Sequence, residues 1–186
     1  MRQLKLLKNK DTSYGGELLK TRKGRVCGRP IDSRNSMHLV LRSSRATGDW
    51  SLKNRVNKPK VESILIKFAR KYGVRIHSDA ILSNHIPLHI KLSNRQAYKP
   101  FIRAITGAIA MAVTGVNRWN PRKAKLKFWD FRPFTRVVFG WKAFQLLTRY
   151  IKYNQLEAIG IPRSKAGDFE RPKAVHIDYQ DEFGSG

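Results

Sequence analysis

Two short stretches hold the side chains with the greatest chemical capacity. Ser83-Asn84-His85-Ile86-Pro87-Leu88-His89 sets out two imidazoles, and Arg149-Tyr150-Ile151-Lys152-Tyr153-Asn154 sets a tyrosine four residues before an asparagine. A tyrosine hydroxyl titrates near pH 10 and is a weak nucleophile at neutral pH. Its attack on a phosphate needs a divalent ion to polarise the phosphoryl oxygens and offset the charge that develops. Each residue also has a plainer reading. A helix tyrosine usually packs its ring and hydrogen-bonds its hydroxyl, and His85 can simply cap a turn. His77 and His89 read as ordinary strand residues, and His38 has no partner in the sequence.

The elements that must position these groups follow from hydrophobic spacing. Met37–Ser43 reads as a first strand. Val61, Ile64, Leu65, Phe68, Ala69 and Tyr72 recur at helical spacing, with Pro59 before them and Gly73 after. Val74–Leu82 and His85–Leu92 read as two strands joined by a tight turn at Ser83-Asn84. A helix from about Arg95 to Val113, a basic loop from Val116 to Lys127, and a strand over Phe128–Phe139 bent at Pro133 come next. The last helix, Trp141–Ile159, is closed by Gly160 and Pro162. On it Asn154 shares a face with Tyr150, whereas Tyr153 points about 60° away and ranks second.

The order strand, helix, strand, strand, helix, strand, helix predicts an α+β, ferredoxin-like split βαβ fold. Its four-stranded antiparallel sheet carries helices on one face, and a C-terminal helix holds Tyr150. Residues 1–35 read as a basic arm that orders only on phosphates, 36–160 as the domain, and 161–186 as a polar tail ending in what reads as an expression remnant.

The charge balance selects the partner. The chain has 38 Lys and Arg against 13 Asp and Glu, a formal net charge of +25 on 186 residues. That excess repels itself unless a polyanion matches it, and nucleic acid is the natural match. Arg42, Arg45, Lys53, Arg55, Lys58 and Lys60 cluster after the first strand; Arg118, Arg122, Lys123 and Lys125 surround Trp119. Both groups are candidate phosphate contacts, with Trp119 a platform for an unpaired base and Trp129 and Trp141 core residues. The longest uncharged apolar stretch, Ala104–Val116, is broken by Thr106, Gly107, Thr114 and Gly115 and is too short to span a bilayer. The charged start of the chain and the lone Cys27 predict an intracellular, cytoplasmic protein.

Placed on these elements, the two stretches resemble the HUH single-strand transposases, specifically the single-tyrosine group that includes the REP-associated tyrosine transposases. The resemblance runs from roughly Met37 to Gly160, and Phe101–Ala110 and Phe128–Val138 look like that family's second helix and fourth strand. It implies single-stranded or hairpin DNA as partner and Tyr150 as the attacking group, leaving a 5′-phosphotyrosine and a free 3′-hydroxyl. It also implies a Mg²⁺ or Mn²⁺ ion held by strand histidines and by an amide or carboxylate one turn past the tyrosine.

Here the chain departs from the family. His85 fills the first histidine position, but the second holds Pro87, which has no ligand atom. His89 lies on the same strand face roughly 13 Å from His85, too far for both rings to bind one ion. The remaining donors are His85, Asn154 and Glu157 with water, a set magnesium tolerates. The expected function is transposase-like DNA binding, with metal-assisted tyrosine cleavage weakened or lost. The alternative is a noncatalytic RNA-binding or ribosome-associated protein, and a homodimer stays open.

Overall fold

The structure is a computed structural model, which describes residues 13–16, 28–116 and 127–162. In chain order the elements are β1 (Ser13–Tyr14), β2 (Ser36–Arg42), a 3₁₀ turn (Gly48–Trp50), α1 (Asn57–Tyr72), β3 (Val74–Asp79), β4 (His85–Leu92), α2 (Tyr98–Thr114), β5 (Phe134–Val138) and α3 (Gly140–Ala158). The strands form one antiparallel sheet in the order β1-β5-β2-β4-β3. Leaving β1 aside, this is the split βαβ arrangement that the element order predicts.

Strand alternation divides the sheet into two unlike faces. Met37, Leu39 and Leu41 of β2 and Ile86, Leu88, Ile90 and Leu92 of β4 are buried on one of them. Over them lie α1, through Val61, Leu65 and Ala69, and α2, through Phe101, Ile105, Ile109 and Val113. The opposite face carries His38, Val40 and Arg42 on β2 and His85, Pro87 and His89 on β4, and α3 lies across it. α3 closes on this face through Leu147 and Ile151, which pack with Ala80, Leu82 and Val138.

Three expectations need correction. The sheet has five strands, because Ser13–Tyr14 of the supposed basic arm pairs with Thr135 and Arg136 at the β5 edge. Gly15 makes the approach possible: its φ is 85°, and a Cβ there would collide with the Pro133 carbonyl oxygen. Arg29 adds a clamp. Its Nη1 donates to the Pro133 carbonyl (2.7 Å) and to Thr135 Oγ1 (2.8 Å), and its guanidinium lies over the Tyr14 and Tyr98 rings.

The second correction is that β3 ends at Asp79 rather than Leu82. Ala80 N–H donates to the Pro87 carbonyl, which shows that the Pro87 backbone faces β3; with no N–H, Pro87 cannot return the bond. The proline's missing donor therefore falls beyond the end of β3, and the β2–β4 register runs unbroken from Met37 to Arg42. Third, Phe128–Pro133 is not strand. Its polar groups go elsewhere: Asp130 accepts Ser44 N–H and hydroxyl, Asp130 N–H donates to the Arg42 carbonyl, and the Ser43 hydroxyl donates to the Phe128 carbonyl.

The Arg29 clamp has a measurable weight. Arg29→Ala is expected to cost about 1–3 kcal/mol, since it leaves the part-buried Pro133 carbonyl without its donor and frees β1 from the sheet edge. Arg29→Lys recovers little, because a point charge cannot replace the planar fork. Urea unfolding checks the loss, and backbone hydrogen exchange at β5 checks its location; a Lys variant as stable as the parent contradicts the clamp.

Candidate nucleic-acid interface

The site is built outward from the β3–β4 hairpin. Ser83 and Asn84 form a two-residue turn closed by Leu82 N–H to the His85 carbonyl (3.1 Å), as the sequence predicts. The loop after β2 wraps this turn: Ser43 N–H donates to the Asn84 carbonyl and Leu52 N–H to the Ser83 carbonyl, both at 2.9 Å. Buried Asn57 holds the loop in shape by donating to the carbonyls of Asp49 and Ser51. Arg45, Lys53 and Arg55 on that loop, and Lys58 and Lys60 on the first turns of α1, lie at the surface. Arg42 pairs across the ladder with His85. The predicted basic cluster thus gathers beside the predicted histidine. Arg118, Trp119, Arg122, Lys123 and Lys125 lie outside the described residues.

His85 is half-buried, and its Nδ1 donates to Asn84 Oδ1 at 2.8 Å, which leaves the lone pair on Nε2. Burial and the Arg42 charge lower its pKa, while nearby Glu157 acts to raise it. Glu157 of α3 is thus within electrostatic range of His85. Asn154, one turn earlier, is 1% exposed.

Tyr150 stands at a different level. Its ring meets the His38 ring edge-on at 5.8 Å, and His38 pairs with His89, not with His85. α3 and β4 run in opposite senses, so seven residues of helix, about 10 Å, separate the Tyr150 level from the Glu157 level. Tyr150 and His85 therefore lie on one face of the sheet, at different levels along α3. Tyr153, ranked second from the sequence, has Glu157 four residues on, the same spacing that links Asn154 to Tyr150. It is a turn closer to His85 than Tyr150 is. The signal was present in the spacing Tyr153-x-x-x-Glu157 and acquires meaning once Glu157 lies in electrostatic range of His85.

Between these levels the face is lined with imidazoles. His89 is fully buried, with Nε2 2.8 Å from Ser36 Oγ and Nδ1 3.3 Å from Thr148 Oγ1 of α3. His77, exposed, lies 5.0 Å from it, and Phe144 of α3 touches both rings. His38 Nε2 is buried with no hydrogen-bond partner among the described residues. Burial drives the pKa of His38 down to about 4, aided by Arg136. It does the same to His89, aided by the other two imidazoles. Both rings are neutral, structural parts of the α3 seat.

The donors present do not complete a protein-built metal site. His85 and Glu157 are two candidates, Pro87 is buried without a donor atom, and among the described residues no three His, Cys, Asp or Glu side chains are placed to hold one ion. Sequence reasoning also missed Trp141: expected in the core, it is 70% exposed and stacks on Phe144 at 5.4 Å. Trp129 does pack against the core, donating Nε1–H to the Thr106 carbonyl.

No protein-family model matches the sequence, and no curated protein does. Among solved structures the chain is similar to a REP-associated tyrosine transposase bound to a REP hairpin. The match has a TM-score of 0.55 and 14% identity, and it covers 70% of this chain and 72% of that one. The chain has the fold of a REP-associated tyrosine transposase. A candidate transposase from Deinococcus radiodurans R1 is a looser match, with a TM-score of 0.42 and 13% identity over 72% of this chain and 97% of that one. Among the described residues of this transposase fold, no helix is long and apolar enough to cross a membrane.

The imidazole-lined seat makes stability depend on pH. Unfolded histidine titrates near 6.5, and His38 and His89 titrate at about 4 when folded. Between those values the unfolded chain binds protons that the folded chain refuses, so stability falls as pH drops from 6.5 towards 4. At about 1.4 kcal/mol per unit for each ring, the two together remove on the order of 6 kcal/mol by pH 4. Urea midpoints at pH 7, 5.5 and 4 measure the fall, and His38→Leu should flatten it; an unchanged slope in that variant contradicts the assignment.

Proposed function

We propose that the chain binds single-stranded or hairpin DNA on the face carrying α3, with the tyrosine cleavage chemistry of its fold weakened or lost at Pro87. The observation that carries this reading is the meeting of α3 with the β3–β4 hairpin. In a fold shared with a hairpin-bound transposase, α3 packs Leu147 and Ile151 against Ala80 and Leu82, donates from the Gln155 amide to the Asp79 carbonyl, and carries Glu157 within electrostatic range of His85 and Tyr150 against His38. Arg42, Arg45, Lys53, Arg55, Lys58 and Lys60 frame that end and supply the phosphate contacts, and Arg118, Trp119, Arg122, Lys123 and Lys125 extend them. Tyr150 is the proposed nucleophile, with Tyr153 the second reading because its turn carries Glu157. His85, Asn154 and Glu157 are the donors proposed for Mg²⁺ or Mn²⁺. Position 87 is where that set falls short.

Binding and cleavage separate experimentally. Anisotropy at fixed salt is expected to show tighter binding to a single-stranded DNA hairpin than to the matched RNA hairpin, with affinity falling steeply as salt rises. Equal or tighter RNA binding contradicts the proposal and favours an RNA-binding protein.

For cleavage, the parent chain is expected to form little covalent protein–DNA adduct with Mg²⁺ or Mn²⁺. Pro87→His should raise the yield about tenfold or more by restoring the missing ligand atom. In that background Tyr150→Phe should abolish the adduct and Tyr153→Phe should spare it. The opposite result assigns the chemistry to Tyr153, and no adduct in Pro87→His under either ion excludes a decayed site at position 87.

A further inference from the structure

The far end of α3, away from His85, holds a second constellation. A cleft of roughly 670 Å³ lies where the N-terminal ends of β2, β3 and α3 meet the end of β4. That volume falls within the range of about 300–1,000 Å³ typical of ligand sites. Arg34, Arg75 and Lys91 line it with His77, and none of its lining residues is acidic. The nearest acid in sequence, Asp32, is engaged: its carboxylate accepts the backbone N–H groups of Arg34 and Asn35 and the Asn35 side-chain amide. Lys91 Nζ donates to the Arg34 carbonyl at 2.7 Å, which holds that ammonium at the rim.

The cleft's remaining wall is aromatic. Trp141 stacks on Phe144 with 12° between ring planes, and Phe144 in turn rests against His77 and His89. One face of Trp141 is thereby supported while the residue stays 70% exposed. An indole braced from behind and open in front wastes apolar surface in water, yet it suits a flat π-system laid against it. A flat ring beside three cations describes a nucleobase with its phosphates. The first turn of α3 starts at Gly140 with no side-chain cap, so its amide groups add to the positive potential there.

We propose that this cleft binds unpaired nucleotides of single-stranded DNA, with a base stacked on Trp141 and the adjoining phosphates on Arg34, Arg75 and Lys91. The inference rests on the nucleic-acid reading above for its ligand class and adds a second site to it. The two sites lie at opposite ends of α3. A strand leaving the His85 end can run along the helix and be held by its unpaired portion.

The test uses the full chain and a short unstructured oligothymidylate, followed by fluorescence anisotropy. Trp141→Ala is expected to weaken binding about tenfold, and Trp141→Phe to keep most of it, because the stacking surface remains. Arg75→Gln combined with Lys91→Gln should lower the salt slope by about 0.7 for each phosphate that the variant no longer neutralises. As a check independent of folding, an abasic unit placed along the oligonucleotide should weaken binding to the parent protein and make no difference to Trp141→Ala.

Unchanged oligothymidylate binding by Trp141→Ala overturns the site, as does a Phe variant as weak as the Ala variant. So does a parent chain that ignores the oligonucleotide. A parent that binds oligothymidylate but not the hairpin leaves this site standing and overturns the proposed function. Hairpin binding together with Trp141-independent oligothymidylate binding does the reverse.

Discussion

The structure depends on the seating of α3 against a sheet face that is not apolar. One side of the sheet is closed by α1 and α2 over Leu, Ile and Met side chains. The other offers imidazoles, a proline and an arginine. Only a small apolar patch, Leu147 and Ile151 with Ala80, Leu82 and Val138, anchors the helix there. The rest of the seat is Phe144 set edge-on to His77 and tilted against His89, the Thr148 contact to His89, and the edge-on meeting of Tyr150 with His38. Such a seat is stable only while the rings stay neutral, since burying a charged imidazole without a partner costs far more than the contacts return. Its position sets both functional proposals, because α3 carries Tyr150 and Glu157 towards one end and Trp141 at the other.

Charge acts on top of this arrangement. With +25 spread over the chain, the folded protein works against self-repulsion that a polyanion relieves. Most of the cations among the described residues lie at the surface, where water screens them. The exposed Lys58–Glu62 pair, at 3.8 Å, contributes little. Arg29 differs: half-buried, forked onto β5 and flanked by two tyrosines, it works as a structural element. The same burial pushes the pKa of the Tyr98 hydroxyl up to about 12, so that ring stays neutral beside it.

Much of this was legible in the residues, for physical reasons that differ from element to element. The stripe from Val61 to Tyr72 repeats at helical spacing and ends in Gly73, whose φ of 62° is the left-handed stop that glycine supplies. The Ser83-Asn84 turn follows from two β-rich runs separated by turn residues. The sequence could not show that Ser13–Tyr14 would be strand, because a two-residue pairing rests on Arg29 and Gly15 meeting a distant edge. Nor could it end β3 at Asp79, since that boundary is imposed by a proline on the neighbouring strand. For the site, His85 and Glu157 stood out as chemistry-bearing types, but only the antiparallel course of α3 over β4 sets Glu157 in electrostatic range of His85 and Tyr150 against His38. Trp141 was misread because an indole beside an apolar helix usually turns inward; here Phe144 already fills that place.

The most direct test of the account is a crystal structure of the chain bound to a DNA hairpin with a single-stranded extension. The account requires the DNA to lie on the α3 face, with a backbone phosphate between Tyr150 and the His85–Glu157 pair. DNA bound instead across α1 and α2, with the α3 face empty, would contradict it.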